Sequence, residues 1–373
     1  MKKIALIIIP VLFIVILLAC SAFNSIRRPA TETFQYDGPY VLYKNDQVFV
    51  KYVFGDSVTK TLKVDSFPIA QRSSVTLTVA TDVPGKTFNV QLKPELKNEP
   101  TETSKFNKLL ILSDIEGNFA ALRKLLQANG VIDDNFNWTY ADGQVELTGD
   151  FFDRGEQVTE VLWLIYSLEE KAKAAGGYVH FVLGNHEIMN LSGDVRYVQP
   201  KYKEDATIMN EEFMNLYSEN SELGRWLRTK NIIEKVGDIL FMHGGISAEM
   251  NSMELSVSKI NKIARPYYAD STYKYKDPKL ILIYSDLGPF WYRGYYQGEK
   301  AGTQQIDNTL AYYGVKHIAT GHTIIADTIT VMHGGKLFNT DVHHAKGQSE
   351  ALLAENSKFY RVNALGEKFL IWE

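Results

Sequence analysis

The sequence has little cysteine: only Cys20, so no internal disulfide can staple the fold. It has no surplus of positive charge. Lys and Arg number 40 against 44 Asp and Glu, a formal net charge of −4. General nucleic-acid binders carry a basic excess, so no nucleic-acid partner is expected. It has no internal repeat and no low-complexity segment, so a repeat array or a biased tract is not expected. What is present is an ordinary globular composition, 45% hydrophobic and 23% charged over 373 residues, which argues against disorder and suits one large domain plus a small one.

The N-terminus is distinctive. Met1-Lys2-Lys3 is basic, Ile4 to Ala19 is a 16-residue apolar run broken only by Pro10, and Cys20 follows. This is the layout of an export signal, and the run is shorter than the roughly 20 residues that cross a bilayer comfortably. Leu17-Leu18-Ala19-Cys20 resembles a bacterial lipobox, which implies cleavage before Cys20 and lipid attachment to its thiol. Residues 1–20 are expected to be this segment. The alternative is an uncleaved transmembrane anchor that includes Ser21 to Phe23. Either reading holds the body at a membrane, outside the cytoplasm.

Residues 21–36 read as a linker, polar around Arg27-Arg28-Pro29. Residues 37–96 change to short β-branched and aromatic runs between turns such as Gly55-Asp56 and Pro84-Gly85, which predicts a small β-sandwich-like accessory domain. The charged stretch Lys97 to Lys105 is read as the boundary. Residues 106–373 read as α/β. Leu109 to Leu112, Val145 to Leu147 and Tyr178 to Leu183 are strand-like, and each is followed by a loop bearing Asp or Asn. Helical spacing follows at Asn118–Gln127 and Glu156–Lys173. Polar groups just beyond the carboxyl ends of such strands are where ligands bind. Leu191 to about Arg228 predicts a helical cap. Strands are expected at 232–242, 315–319, 328–332, 336–339, 359–362 and 368–372, forming a mostly antiparallel second sheet.

Five segments carry the chemistry. They are Ser113-Asp114-Ile115-Glu116-Gly117-Asn118, Gly149-Asp150-Phe151-Phe152-Asp153-Arg154-Gly155, Gly184-Asn185-His186-Glu187, Met242-His243-Gly244-Gly245 and Gly321-His322-Thr323. In this order they resemble the motifs of the calcineurin-like metallophosphoesterases, with Gly149–Gly155 and Gly184–Glu187 closest to the phosphoprotein-phosphatase branch. Gly288 to Tyr295 resembles a segment of the Shewanella-like protein phosphatases. The resemblance implies a two-sheet α/β/β/α sandwich with the small β domain in front. It implies two divalent metal ions (Mn, Fe, Zn or Mg, with Mn favoured) that neutralise a phosphate ester and acidify a water. The implied ligands are Asp114 and Glu116 on one side, Asp150 bridging, and Asn185, His243 and His322 on the other. His186 is implied as proton donor to the leaving oxygen, oriented by Asp153; Arg154 and Arg293 as phosphate-gripping groups. One position departs from the pattern. The family reads Asp-X-His where this chain has Asp114-Ile115-Glu116, which predicts a harder, oxygen-rich first site.

The expected activity is hydrolysis of phosphomonoesters, phosphoproteins among them. The alternatives are a nucleotide or diadenosine-polyphosphate hydrolase, and a non-catalytic phospholigand-binding protein of the same fold. Other residues have blander expectations. Glu187 reads as structural, and His180 and His317 as packed core histidines. His343-His344, after Thr340-Asp341, reads as a solvated loop pair, the alternative being extra metal ligation from a strand end that points into the cleft. The oligomeric state is not legible.

Overall fold

Leu109 to Leu112 are four consecutive apolar residues, all fully buried, as a strand covered on both faces requires. The computed structural model describes residues 35–56, 59–103, 106–298 and 300–373. Cys20, the signal segment and residues 21–34 of the expected linker lie outside the described residues. By contacts the chain divides into a small unit, Met1–Tyr36 with Phe54–Thr61, and a large unit, Asp37–Val53 with Leu62–Glu373. The described part of the small unit consists mainly of short strand ends; the site belongs to the large unit.

The strands are β1 (Gln35–Lys44), β2 (Gln47–Gly55), β3 (Lys60–Pro68), β4 (Thr76–Ala80), β5 (Thr87–Gln91), β6 (Glu102–Thr103), β7 (Lys108–Leu112), β8 (Gln144–Leu147), β9 (Tyr178–Phe181), β10 (Ile233–Val236), β11 (Ile239–Met242), β12 (His317–Thr320), β13 (Thr330–Met332), β14 (Leu337–Asn339), β15 (Glu350–Glu355), β16 (Lys358–Asn363) and β17 (Lys368–Trp372). The helices are α1 (Phe119–Ala128), α2 (Val158–Ala174), α3 (Asn185–Ser192), α4 (Pro200–Ile208), α5 (Glu222–Leu227), α6 (Ala248–Ser252), α7 (Val257–Ala264), α8 (Pro278–Ile283) and α9 (Thr303–Tyr313).

Two six-stranded sheets carry the fold, in the orders β17-β16-β15-β7-β8-β9 and β13-β14-β12-β11-β10-β6. They pack through Leu109 and Ile111 of β7, Phe241 of β11, Phe338 of β14 and Phe359 of β16. Phe338 and Phe359, one from each sheet, stack with centroids 4.4 Å apart. Burying side chains of this size stabilises by about 1.5–3 kcal/mol each.

The second sheet differs from expectation in two ways. It is mixed: β10 with β6, β11 with β12 and β12 with β14 pair in parallel, and only two pairs are antiparallel. In addition, 359–362 and 368–372 belong to the first sheet. Strand β15, which the sequence reading missed, carries them there through antiparallel pairing with β7 and β16. The physical reason is that β15 (Glu350-Ala-Leu-Leu-Ala-Glu355) is short, Ala- and Leu-rich, and carries little β-propensity of its own. Pairing with β7 decides its state.

Residues 37–96 form a three-stranded sheet and the β4–β5 hairpin. Apart from Phe54–Thr61, they share the large unit with the catalytic sheets, because α2 is their floor. Tyr40 Oη donates to Asp37 at 2.8 Å and lies 3.0 Å from the Thr159 hydroxyl, and Trp163 Nε1 donates to the Pro39 carbonyl at 2.7 Å. Lys93 and Lys230 both pair with the buried Glu169 carboxylate, the latter at 2.7 Å. Buried charges survive only when paired in this way.

Candidate active site

The site is assembled at the carboxyl ends of strands from both sheets. Asp114 follows β7, Asp150 follows β8 and Asn185 opens α3 after β9, while His243 follows β11 and His322 follows β12. All five are buried and line or underlie a cleft of about 690 Å³. The loops that hold them are tight. Asp114, Glu116, Asp150, Asp153, Arg154 and His322 all have positive φ, between 49° and 68°. Non-glycine residues pay roughly 1–2 kcal/mol each for that conformation, so other contacts must hold the loops in place.

Glu187 supplies much of that hold. Its buried carboxylate accepts from four backbone N–H groups: Asp150 at 2.9 Å, Phe151 at 2.7 Å, Phe152 at 3.3 Å and Gly184 at 2.7 Å. One side chain thus ties the start of α3 to the Asp150 loop. Burial, and next the Asp150 charge, push its carboxyl up to about 7.

His243 donates from Nδ1 to the Thr148 carbonyl at 2.7 Å. Its Nε2 therefore faces Asp150 Oδ2 and Asn185 Oδ1, each 3.0 Å away. Three lone-pair atoms turned on one another require a proton or a cation among them. Burial alone would lower the His243 pKa, but the Asp150 and Asp114 carboxylates outweigh it and push the imidazole up to about 10. His322 stands beside it with ring centroids 4.9 Å apart, and one donor atom from each of Asp150, His243 and His322 lies within 4.8 Å of the others. Burial, and next the charges of His243 and Arg293, hold His322 well below the usual imidazole range, which favours the neutral ring that a cation could use. This donor set fits a divalent cation.

A second group lies alongside. Glu116, Asp150 and His186 also offer atoms within 4.8 Å of one another. Asp114 is buried next to them, its carboxyl pushed up to about 6 by burial and then by Asp150, and it accepts from the His322 N–H at 3.2 Å. Glu116 is half-buried and forms an ion pair with Arg154, so the expected ligand and the expected phosphate-gripping group hold each other in this structure. Arg154 also lies over the Tyr197 ring, 5.5 Å from its centroid. Arg293 also lines the cleft and donates to the His322 carbonyl at 2.5 Å and to the Thr323 hydroxyl at 3.1 Å.

His186 and Asp153 form a buried pair, Nδ1 to Oδ2 at 2.6 Å. The other ring nitrogen, Nε2, faces Asp150 Oδ2 at 3.8 Å. Burial opposes a charge on His186, but the Asp150 charge and the Asp153 hydrogen bond raise its pKa above the ordinary value. Asn190 braces the pair, donating to Asp153 Oδ1 and to the His186 carbonyl, both at 2.9 Å.

The structure adds groups that the sequence reading did not place at the site. Asp341 follows β14 as Asp114 follows β7, lines the cleft, and is pushed well above the carboxylate range by burial and then by Asp114. The strand-end position was the available signal. His344, expected in a solvated loop, is 3% exposed, lines the cleft, and places Nε2 3.1 Å from the Ser113 carbonyl. The short 3₁₀ turn His344–Lys346 folds it inward, which its polar neighbours conceal. His343 stays partly exposed and pairs with Asp327.

Comparison with known proteins places the arrangement. The family profile described as calcineurin-like phosphoesterase matches residues 107–326. The crystal structure of a cold-active protein-tyrosine phosphatase from a psychrophilic Shewanella species is 35% identical, superposes with a TM-score of 0.81, and covers 90% of this chain and 99% of its own. Shewanella-like protein phosphatase 2 of Arabidopsis thaliana is 25% identical over 308 residues, 69% of this chain and 77% of its own. Shewanella-like protein phosphatase 1 of Plasmodium berghei is 28% identical over 227 residues, which make up 58% of this chain and only 61% of that relative.

Proposed function

The chain belongs to the calcineurin-like phosphoesterase family and is a metal-dependent phosphatase; from that premise we propose that it hydrolyses phosphomonoesters of aryl alcohols, phosphotyrosine in proteins foremost. The observation that carries this reading is the His186–Asp153 pair turned toward Asp150, with Arg154 and Arg293 lining the same cleft. The aromatic residues Tyr197 and Trp291 also line it, which suits an aryl ester.

The donor set implies two cation positions. Asp150, Asn185, His243 and His322 would hold one, and Asp114, Glu116 and Asp150 the other. Bound there, the divalent ions neutralise phosphate charge and acidify a water for attack on phosphorus. The oxygen-only second set favours Mn or Mg over Zn. The chain's own residues do the rest. Arg293 is fixed by two hydrogen bonds and presents its remaining N–H groups to the phosphoryl oxygens; Arg154, lining the same cleft, offers a second guanidinium. A monoester has three free oxygens to satisfy and a diester two, so two guanidinium groups select the monoester. His186 holds a proton on Nε2 while Asp153 keeps its ring in place, and gives that proton to the departing oxygen. Against the effect of burial, the carboxylates of Asp150 and Asp153 raise the His186 pKa above its ordinary value, which favours the protonated ring.

The apolar start ending at Cys20 supports a membrane-tethered enzyme working outside the cytoplasm, with lipid on the Cys20 thiol. The test is hydrolysis of p-nitrophenyl phosphate and a phosphotyrosyl peptide with added Mn²⁺, against bis-p-nitrophenyl phosphate and diadenosine tetraphosphate. We expect chelator-sensitive turnover that favours the two monoesters. Faster cleavage of the diester or of the tetraphosphate would replace this reading, and no turnover with any divalent metal would leave a phospholigand-binding protein.

A further inference from the structure

The face between the two sheets holds a second polar cluster. Glu146 on β8 sits beside His180 on β9, at paired register positions of the first sheet. Glu234, on β10 of the second sheet, meets them from the opposite side: His180 Nδ1 lies 2.9 Å from its Oε2. One ligand-capable atom of each residue lies within 4.8 Å of the others. None is more than 2% exposed, and none lines the catalytic cleft.

The surroundings orient two of the three. The Gln144 side-chain oxygen lies 3.1 Å from His180 Nε2, and Asn231 Nδ2 donates to Glu234 Oε1 at 2.8 Å. If Nε2–H donates to Gln144, the lone pair on Nδ1 faces a carboxylate oxygen. A proton on Nδ1 would satisfy that contact. It would leave Glu146 unsatisfied, because neither Glu146 oxygen has a hydrogen-bond partner although the side chain is fully buried. An unpaired carboxylate in such a place is costly, and a neutral carboxyl would still waste a buried donor. A divalent cation satisfies all three side chains together, and its charge cancels that of the two glutamates. Ligand atoms around such an ion stand roughly 3–4 Å apart, so a small closure of the present cluster suffices. Burial, with the Glu234 charge second, pushes the Glu146 carboxyl well up, which marks the same missing positive charge.

We propose that Glu146, His180 and Glu234 bind a third divalent cation, separate from the catalytic pair, which clamps the two sheets together. Two carboxylate oxygens and one imidazole nitrogen suit Zn or Mn. The His180–Gln144 and Asn231–Glu234 contacts are the outer partners that metal ligands ordinarily have. With no opening to the cleft, the ion enters during folding and exchanges slowly.

The test is elemental analysis of the full chain folded in the presence of Zn²⁺ or Mn²⁺ and then desalted. The background is Asp150→Asn with His243→Ala, which strips donors from the catalytic site. We expect that background to retain one ion per chain, and the addition of Glu146→Gln to remove it. In the otherwise native chain, Glu146→Gln is expected to lower the ion count by one and leave kcat within twofold. Anomalous scattering from crystals of the native chain gives a second readout that no folding defect can confound: a peak among Glu146, His180 and Glu234 is expected. No peak there, or an ion count unchanged by Glu146→Gln, overturns the proposal and leaves a proton shared by Glu146 and Glu234. Both readouts are independent of whether the cleft hydrolyses phosphate esters.

Discussion

Asp153→Asn tests the proton-donor assignment, and the structure dictates how the new amide must sit. Asn190 Nδ2 donates both to Asp153 Oδ1 and to the His186 carbonyl. Asn190 cannot flip, because its oxygen would then face that carbonyl. The oxygen of the introduced amide must therefore stay toward Asn190, and its NH2 group must face His186 Nδ1. A donor now opposes a donor. The ring is forced to the other tautomer, and the imidazolium loses a buried charge-assisted hydrogen bond worth about 1.5–3 kcal/mol. At about 1.4 kcal/mol per tenfold, kcat should fall roughly 10- to 100-fold. The fall should be larger for phenyl phosphate, whose leaving oxygen needs the proton, than for p-nitrophenyl phosphate, whose leaving group departs readily as an anion. KM should change little, since Asp153 does not line the cleft. The alkaline limb should also move. Asp153 helps to raise the His186 pKa, so its loss should make activity disappear at lower pH than in the native chain. Steady-state kinetics on the two esters across pH decide the matter. An equal loss on both esters with an unmoved alkaline limb would refute the assignment.

Three further outcomes follow from particular contacts. Glu187→Gln turns an amide NH2 toward one of the two N–H pairs that the carboxylate now accepts; urea unfolding should show a loss of roughly 2–6 kcal/mol, and a change below about 1 kcal/mol would contradict its role as the loop anchor. Glu160 is 2% exposed, and burial pushes its carboxyl from 4.5 up to about 8 despite the attraction of Lys201. The folded chain keeps a proton that the unfolded chain releases above its ordinary value, so this contribution is complete below that value and is lost as pH rises to about 8, with a slope of up to about 1.4 kcal/mol per pH unit; Glu160→Gln should flatten that part of the stability curve, and parallel curves for the two chains would exclude the effect. Glu116→Ala should lower bound metal by about one ion per chain relative to the native chain while Glu116→His restores it, as measured by elemental analysis; full loading of the Ala variant would leave Glu116 only its ion pair with Arg154.

Much of the site was legible because its chemistry is local. Asp114, Asp150, Asn185, His243 and His322 each follow a short apolar strand within one tight loop, and the residue types alone restrict what such loops can hold. The α/β character was legible for the same reason, since β7, β8 and α2 announce themselves by apolar periodicity. The partnership of Glu116 with Arg154 was not legible. The two residues lie in different loops, after different strands, and each was read for a role toward a ligand.

What the sequence determined by itself is the set of donors, their order, and the strand-to-loop position of each. Tertiary structure alone decided which sheet β15, β16 and β17 join, because pairing with β7 overrides a weak local preference. It also decided the fates of the remaining histidines. His344 was turned into the cleft by a single 3₁₀ turn, and His180, expected in the core, was set between two glutamates from different sheets. Both outcomes depend on chain segments that meet only when the sheets close on each other. No window of sequence carries that distance.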